Sequence, residues 1–149
     1  MINKILVANR GAIAVRIFRT LKQMGIQSVA VYSEADAESI HVSVADEAYS
    51  LGEGTAANTY LDQEKLFTII KKANVDAVHP GYGFLSENAE FAEACEFRNV
   101  IFLGPGPEQM KAFGLKHVAR DLAKAHNVPL LPGTDLLGSL EEAVQAAST

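Results

Sequence analysis

The chain has 149 residues, the size of a single domain, and 48% of them are hydrophobic while 21% are charged, as expected of a globular protein. Its formal net charge of −5 excludes a nucleic-acid-binding function that depends on a basic face. No apolar run in the sequence reaches the length of a membrane span, and the first residues lead straight into a strand-like run rather than a secretory signal, so we expect a cytoplasmic protein.

The first predicted elements form a strand–helix–strand unit. Residues 4–8 are a continuous apolar run, which is typical of a strand covered on both faces. Residues 12–24 follow helical spacing, and Gly25 ends the predicted helix. A second strand is predicted over residues 28–32. This order indicates parallel pairing of the two strands through a right-handed crossover.

The turn after the first strand excludes one common ligand of such units. A dinucleotide-binding turn carries Gly-x-Gly-x-x-Gly, whose second glycine lets a pyrophosphate approach the backbone. Here the turn reads Asn9-Arg10-Gly11-Ala12-Ile13 and lacks that second glycine, so we reject NAD binding. Glu34 and Asp36, which follow the second strand, are interpreted as caps and solvated loop charges rather than ribose ligands.

The rest of the chain alternates between strands and helices. Further strands are predicted over residues 48–51, 76–79 and 100–103. Further helices are predicted over residues 39–45, 62–73, 89–95, 107–113 and 115–126, and a last one opens at the capping box 139–142. Residues 129–133 are too rich in proline for a central strand. We therefore expect an α/β fold, a three-layer α/β/α Rossmann-like domain with a mostly parallel sheet of about five strands.

The single cysteine, Cys95, excludes an intrachain disulfide and a multi-cysteine metal site. It lies in the predicted helix over residues 89–95, beside Phe91 and Ala92. We therefore interpret it as a small buried side chain rather than as a reactive thiol.

The most informative stretch is residues 79–88, which we name the glycine loop; it reads His-Pro-Gly-Tyr-Gly-Phe-Leu-Ser-Glu-Asn and joins the fourth predicted strand to a helix. Pro80 favours an extended residue before it, and Gly81 and Gly83 allow backbone angles and close approaches that a Cβ would forbid. Ser86 is the predicted N-cap of the helix. Loops at the carboxyl ends of strands in open α/β sheets bind ligands, so we expect the functional site here.

The glycine loop resembles the signature of the N-terminal domain of biotin carboxylases, the ATP-dependent subunits or domains of biotin-dependent carboxylases. A second resemblance begins at Ala8-Asn9-Arg10-Gly11 and continues in Ile13-Ala14-Val15-Arg16-Ile17. Most members of the family have glutamate after that glycine, whereas this chain has Ala12, so the contacts of that glutamate are not carried over. The resemblance implies a pre-ATP-grasp domain over residues 1–149. The ATP-grasp domain, with its glycine-rich lid, metal-binding carboxylates and bicarbonate site, would lie outside them.

One segment narrows the resemblance to a branch of the family. Most members read Gly-Asp-Lys where this chain has Gly114-Leu115-Lys116. Residues 112–117, together with Arg120 and residues 128–134, are similar to urea carboxylase, which also occurs as part of urea amidolyase. The implied reaction is ATP-dependent carboxylation of biotin by bicarbonate, with the carboxyl group then passed to urea. The alternatives are a biotin carboxylase domain that serves an acyl-CoA or pyruvate carboxylase, and a non-catalytic dimerisation or carrier-docking module.

The resemblance also implies ligands and partners. Tyr82 and Gly83 are candidate biotin contacts, with packing of Tyr82 against a domain interface as the alternative. Lys116 is the candidate ATP contact, because its ammonium can neutralise a phosphate oxygen; without the resemblance it would be read as a surface lysine. The implied cofactors are biotin, ATP and Mg²⁺. The implied partners are the ATP-grasp domain, a biotin carboxyl carrier domain and a second copy of the chain. We assign no catalytic residue and expect these 149 residues to be inactive by themselves.

Four further side chains have two interpretations each. Arg16 and Arg19 lie on one polar face of the first predicted helix, and this face is either solvated or, as the resemblance implies, a homodimer contact. Glu87 suits the first turn of the helix after the glycine loop as a dipole partner, which we favour over a magnesium ligand. His79 is interpreted as a structural histidine held by its loop rather than as a general base.

Overall fold

The computed structural model describes residues 1–148, and the first of its two compact units, residues 1–107, contains a five-stranded sheet. The strands are β1 (Lys4–Val7), β2 (Gln27–Ser33), β3 (Glu47–Gly52), β4 (Ala77–His79) and β5 (Ile101–Phe102). They lie in the order β3-β2-β1-β4-β5, and every neighbouring pair is parallel. The expectation of a mostly parallel sheet with five strands is confirmed.

The helices of residues 1–107 follow the predicted positions closely. They are α1 (Gly11–Met24), α2 (Ile40–Val44), α3 (Gln63–Ala73) and α4 (Ala89–Phe97), with short 3₁₀ turns at Glu34–Asp36 and Ala56–Asn58. As predicted, α1 ends at Gly25, which adopts the left-handed conformation with a φ of 70° and donates its N–H to the last turn. Asp62, predicted to be the first residue of α3, is instead its N-cap, and its carboxylate accepts the backbone N–H of Lys65 at 3.1 Å.

Alternate side chains of the strands are buried on opposite faces of the sheet. In β1, Ile5 and Val7 pack with α1, whereas Leu6 packs on the other face with α3 and α4. The α1 side of the core contains Ala14, Ile17, Phe18 and Leu21, and the other side contains Leu66, Phe67, Ile70, Phe91 and Cys95. Because both faces are covered, β1 from Ile5 to Val7 and β2 from Val29 to Val31 are continuously apolar, and the predicted three layers are confirmed.

Cys95 lies inside this core, as predicted, and is fully buried. Burial disfavours the thiolate and raises the pKa of the Cys95 thiol to about 12. The side chain therefore acts as a small apolar group that packs under α4.

The start of α4 differs from the prediction. The helix begins at Ala89, and its N-cap is Asn88, whose side-chain oxygen accepts the N–H of Phe91 at 2.7 Å. Ser86 instead closes a turn by donating its N–H to the carbonyl of Gly83 at 2.8 Å. The prediction of Ser86 as N-cap was wrong, because Ser86 and Asn88 are both good capping residues and the turn requires the first of them.

The second unit, residues 108–148, contains only helices and loops among the residues described. Its helices are α5, which begins just before the unit (Pro107–Gly114), α6 (Lys116–Ala125) and α7 (Leu140–Ala147). As predicted, residues 129–133 form no strand, and Ser139 caps α7 by accepting the N–H of Glu142 at 3.2 Å. Within residues 1–148, no helix combines the length and the apolar character needed to cross a membrane, and the cytoplasmic location stays a prediction.

His41 is a fully buried polar side chain beside β2. Its Nε2 lies 3.3 Å from the carbonyl oxygen of Val31, and this oxygen can only accept, so Nε2 carries the proton. Its Nδ1 has no partner among the residues described. Burial lowers the pKa of His41, because a charged imidazolium would lose its hydration there.

The stability of the chain is expected to fall between pH 7.5 and 5.5. Burial lowers the pKa of both His41 and His79 in the folded chain, whereas the unfolded chain takes up protons near the ordinary value of 6.5. Below that pH the unfolded chain binds more protons, so the free energy of unfolding should drop by at most about 1.4 kcal/mol per pH unit for each histidine. Urea denaturation at a series of pH values measures this slope. In His79→Asn the dependence of stability on pH should become weaker, since one of the two histidines with a lowered pKa is lost and His41 is kept. An unchanged slope would contradict the role of His79.

Candidate functional site

The order of the sheet reverses between β1 and β4. From β1, strands β2 and β3 extend to one side, and β4 and β5 extend to the other. Since β1 and β4 are parallel neighbours with Val7 opposite His79, their carboxyl ends meet at one edge of the sheet. Open α/β sheets bind ligands in the crevice at such a reversal. The glycine loop starts at this edge, next to the turn that follows β1.

Asn9 joins these two segments. Its side-chain Nδ2 donates to the carbonyl oxygens of Pro80 and Tyr82, both at 2.8 Å, and its Oδ1 accepts the N–H of Arg10 at 2.9 Å. The residue is only 4% exposed, so water cannot replace these bonds without opening the site. One amide therefore anchors two carbonyls of the glycine loop to the end of β1.

Gly81 lies directly against Asn9. Its φ is +67°, a left-handed value that disfavours any residue with a Cβ. A Cβ built on Gly81 would lie 2.7 Å from the Asn9 Nδ2 and 3.0 Å from its Cβ. The amide of Asn9 thus occupies the space that a side chain at position 81 would need, and the glycine is required for two separate reasons.

His79 closes the first turn of the glycine loop. Its Nδ1 accepts the N–H of Gly81 at 3.0 Å, which requires Nδ1 to be unprotonated. Burial lowers the pKa of His79 and favours this neutral form. These contacts agree with the structural role predicted for His79.

Phe84 has an unusual backbone conformation with a φ of +34°. Its ring stacks on the ring of Tyr60, with centroids 5.1 Å apart and planes 5° from parallel. The guanidinium of Arg10 lies 5.4 Å from the Tyr60 ring centre and 5.9 Å from that of Phe84. We name Tyr60, Phe84, Arg10 and Asp36 together the aromatic support of the glycine loop.

Asp36 connects the polar atoms of the aromatic support. Its Oδ2 accepts from the Tyr60 hydroxyl at 2.7 Å, from Arg10 Nη1 at 2.9 Å and from the Ser33 hydroxyl at 3.0 Å. Burial opposes ionisation of Asp36, but the hydrogen bonds from Tyr60, Arg10 and Ser33 outweigh it and lower its pKa. The interpretation of Asp36 as a solvated loop charge was wrong, because two of its partners, Tyr60 and Arg10, lie far away in the sequence.

The tip of the glycine loop presents the two candidate biotin contacts to solvent. Tyr82 is 66% exposed, and its carbonyl, but not its ring, is held by Asn9. Gly83 has a φ of +64°, and nothing lies within 4 Å of a Cβ built on it. The loop therefore combines a fixed backbone with an exposed ring and open space beside it.

Glu87 is exposed and precedes the N-cap of α4, so it is not in the first turn of the helix. That place belongs to Glu90, and the interpretation of Glu87 as a first-turn dipole partner was wrong. Within the described range 1–148, no three His, Cys, Asp or Glu side chains lie together so that they could hold a metal ion. Glu87 as a magnesium ligand stays a prediction.

Arg16 and Arg19 are both exposed on α1. Arg16 donates to the Thr20 hydroxyl one turn later at 2.6 Å. It also borders an apolar groove of about 480 Å³. The lining of this groove includes Ile2, Ile13, Met24, Ile26 and Leu103. The predicted face thus combines arginines with exposed apolar surface.

Lys116 lies in the second unit, at the first position of α6, and is exposed. It borders a groove of about 440 Å³ with Arg120 and Asp135. Arg120 Nη2 donates to the carbonyl of Leu131 at 2.8 Å and that of Gly133 at 3.4 Å, so this cation is fixed. An anion that entered the groove would meet two positive side chains one helical turn apart.

The sequence interpretation missed Asn9 and Tyr60 as parts of the site. Asn9 lies in the segment that carried the second family resemblance, and Tyr60 is the one aromatic residue in the connection of residues 53–62. Both signals are visible in the sequence. Their partners are not, because the bonds of Asn9 reach 71 and 73 residues along the chain.

Comparison with known proteins gives consistent matches. The family model described as "Biotin carboxylase, N-terminal domain" matches residues 1–110. Biotin carboxylase 1 of Bacillus subtilis is 48% identical in an alignment 149 residues long, which covers 99% of this chain and 33% of that protein. The K. lactis urea amidolyase, known from a crystal structure, is 51% identical in sequence and has a TM-score of 0.86. The match covers 88% of this chain and 8% of the urea amidolyase chain.

A third relative is described with ligands. It is the biotin carboxylase domain dimer of the 2-oxoglutarate carboxylase of Hydrogenobacter thermophilus, in complex with MgADP, ADP and bicarbonate. It is 42% identical with a TM-score of 0.93, over 99% of this chain and 33% of that one. The chain thus spans about a third of the length of the Bacillus and Hydrogenobacter proteins. The matched residues include both the segment that begins at Ala8 and the glycine loop, and the chain belongs to the family of biotin carboxylase N-terminal domains.

Proposed function

We propose that the chain forms one wall of the biotin site in a larger ATP-dependent biotin carboxylase. The observation that supports this most directly is the glycine loop at the sheet reversal, which Asn9 anchors while Tyr82 and Gly83 remain exposed. An aromatic ring with a polar end and an adjacent glycine suit a flat heterocycle such as the ureido ring of biotin. In this proposal Tyr82 and Gly83 bind and orient biotin.

The domain boundary is part of the same proposal. Residues 1–149 would be the N-terminal domain, and an ATP-grasp domain and a biotin carboxyl carrier domain would complete the enzyme. The relatives support this division, since this chain matches only about a third of the Bacillus protein and 8% of the K. lactis protein.

Lys116 is the proposed ATP contact. Its exposed ammonium at the start of α6, with the fixed guanidinium of Arg120 in the same groove, suits an anionic group such as a phosphate. When bound, ATP and Mg²⁺ would supply the phosphoryl chemistry that activates bicarbonate. The residues of this chain would neutralise charge and position the reactants, which is the protein's main contribution to such chemistry.

The carboxyl acceptor that we propose is urea. Support comes from the segment Gly114-Leu115-Lys116, from Arg120 and from residues 128–134, which resemble urea carboxylase. Arg120 ties this segment together by binding the carbonyls of Leu131 and Gly133. Overall identity does not separate the branches, because urea amidolyase at 51% and biotin carboxylase 1 at 48% are nearly equal.

The experiment is an assay of the full-length protein that carries this chain. Biotin-dependent ATP hydrolysis with bicarbonate should be measured first, and then transfer of labelled bicarbonate to urea, acetyl-CoA, propionyl-CoA and pyruvate. We expect transfer to urea. Transfer to an acyl-CoA or to pyruvate would support the alternative carboxylases, and no ATP hydrolysis with biotin would support a non-catalytic dimerisation or docking module.

The 149-residue chain by itself is expected to show no bicarbonate-dependent ATP hydrolysis. The physical reason is that, in this proposal, the metal-binding carboxylates and the bicarbonate site belong to the ATP-grasp domain and not to these residues. The measurement is phosphate release with ATP, Mg²⁺, bicarbonate and free biotin, compared with the full-length protein at equal concentration. Turnover by the chain would overturn the proposed division of the site.

The exposed arginines of α1 are proposed to lie at a homodimer contact. Arg16 borders the apolar groove along α1, and the Hydrogenobacter relative is described as a dimer. Arg16→Glu should convert a dimer of the full-length protein into a monomer in sedimentation velocity. Lys71→Glu is the control, because it reverses an exposed charge on α3, which covers the other face of the sheet. The same sedimentation coefficient for wild type and both variants would contradict the contact.

A further inference from the structure

We propose that Tyr60 is a positioning residue for the biotin site: it holds the glycine loop from the protein side, while Asp36 and Arg10 hold Tyr60. This inference rests on the proposed role of Tyr82 and Gly83 as biotin contacts. It adds residues from three other segments of the chain to a site that is otherwise formed by the loop after β4.

The backbone of the glycine loop cannot keep its shape unaided. Phe84 is a bulky residue with a φ of +34°, directly after Gly83 with a φ of +64°. Residues that carry a side chain rarely adopt a positive φ, and such a conformation persists only where the surroundings impose it. The contact that imposes it here is the parallel stack on Tyr60, with ring centres 5.1 Å apart. The position of Tyr60 therefore determines where Phe84, and with it Gly83, must lie.

Tyr60 in turn is fixed by directional bonds. It is 2% exposed, its hydroxyl donates to Asp36 at 2.7 Å, and it accepts the N–H of Ser33 at 3.1 Å. Arg10 pairs with Asp36 at 2.9 Å and lies over both stacked rings. Ser33 ends β2, Arg10 lies in the turn after β1, and Tyr60 lies beyond the loop and the 3₁₀ turn that follow β3, so three separate segments determine the position of one ring.

The two supports lie on either side of the ligand-facing residues. Asn9 holds the carbonyls of Pro80 and Tyr82, and Tyr60 holds the ring of Phe84. Tyr82 and Gly83 lie between these two points and make the exposed tip. A buried phenol hydroxyl needs a hydrogen-bond partner, and the partner of Tyr60 is a carboxylate at the ligand-binding edge of the sheet. Tyr60 belongs to the core on the α3 and α4 side of the sheet, and its stack on Phe84 connects the glycine loop to that core.

The test is steady-state kinetics of the full-length protein with free biotin as the varied substrate. Tyr60→Phe keeps the stacked ring and removes the bonds to Asp36 and Ser33; Tyr60→Leu removes the stack as well. We expect the KM for biotin to rise about tenfold in Tyr60→Phe and about a hundredfold in Tyr60→Leu, because small displacements of a binding group have effects of this size. The KM for ATP should change less than twofold in both.

Tyr49→Phe is the matched control. The Tyr49 hydroxyl also donates to a carboxylate, Glu47, at 2.7 Å, but Tyr49 lies in β3 and its ring is paired with the ammonium of Lys72, 5.3 Å from the ring centre, rather than with Phe84. The KM for biotin should change less than twofold in this variant. The comparison thus separates the loss of one phenol–carboxylate bond from the loss of the loop support.

The outcomes are distinct. If the wild-type protein shows no biotin-dependent ATP hydrolysis, the proposed function fails. If the wild type is active and both Tyr60 variants keep the KM for biotin within twofold, the positioning role fails while the function stands. An equal rise in the KM values for biotin and ATP would indicate general damage to the fold and would also overturn the role. If Tyr60→Phe does not fold, Asp36→Asn replaces it in the test, because this variant keeps the rings of Tyr60 and Phe84. Its KM for biotin is expected to rise about threefold while its KM for ATP stays within twofold.

Discussion

Replacing Gly81 with alanine is expected to destabilise the chain by about 3 kcal/mol, as the sum of a left-handed backbone penalty and the loss of the Asn9 hydrogen bonds. The φ of Gly81 is +67°, and the new Cβ would lie 2.7 Å from the Asn9 Nδ2. Asn9 is buried and bound to two carbonyls, so it cannot move aside without breaking those bonds. Urea denaturation measures the change in the free energy of unfolding.

Gly25→Ala is the control for the backbone penalty. Gly25 has nearly the same φ, +70°, but nothing lies within 4 Å of a Cβ built on it. Its replacement should cost only about 1 kcal/mol, the price of the left-handed conformation. The difference between the two variants then isolates the collision with Asn9. Equal losses in both variants would show that the close approach of Gly81 and Asn9 has no energetic effect.

Replacing Asn9 with aspartate is the second change with a large expected effect, about 3 kcal/mol, although the two side chains have the same shape. The donor Nδ2 would become a carboxylate oxygen 2.8 Å from the carbonyl oxygens of Pro80 and Tyr82, so two hydrogen bonds would turn into two repulsions. Asn9→Ala removes the bonds without adding the repulsion and should cost about 2 kcal/mol. The order of the losses is measured by urea denaturation at pH 7.5.

A pH series distinguishes the loss of the two hydrogen bonds from the repulsion between oxygen atoms as the cause of the Asn9→Asp effect. A carboxyl group that is buried among carbonyls favours its protonated form, which can donate one hydrogen bond again. The stability deficit of Asn9→Asp relative to Asn9→Ala should therefore shrink as the pH falls toward 4. If aspartate is tolerated better than alanine at neutral pH, the carbonyls of Pro80 and Tyr82 do not depend on a donor at position 9.

The regular elements could be predicted from local sequence patterns. The apolar runs that contain β1 and β2 are strands because both of their faces are buried, and the spacing of Ile17 and Leu21 places one side of α1 against the sheet. Local patterns also led to the wrong N-cap for α4. Ser86 and Asn88 have equal capping chemistry, and only the turn from Gly83 to Ser86 decides between them.

The location of the candidate site could be predicted, but its supports could not. Glycines after a predicted strand indicated a ligand-binding loop, and the structure places that loop at the sheet reversal. Asp36 appeared to be one of several loop acids, because its bond to Tyr60 spans 24 residues and its bond to Arg10 spans 26. A side chain's partners depend on strand order, and strand order is not a local property of the sequence.

The central position of β1 also determines when the site can form during synthesis. β1 can pair with β2 once the first 33 residues have left the ribosome, but Asn9 finds its acceptors only after Pro80 and Tyr82 have emerged. Distant pairings of this kind form late, since a long connecting segment must first be ordered. The anchored form of the glycine loop should accordingly appear in a nascent chain only after β4 has joined the sheet.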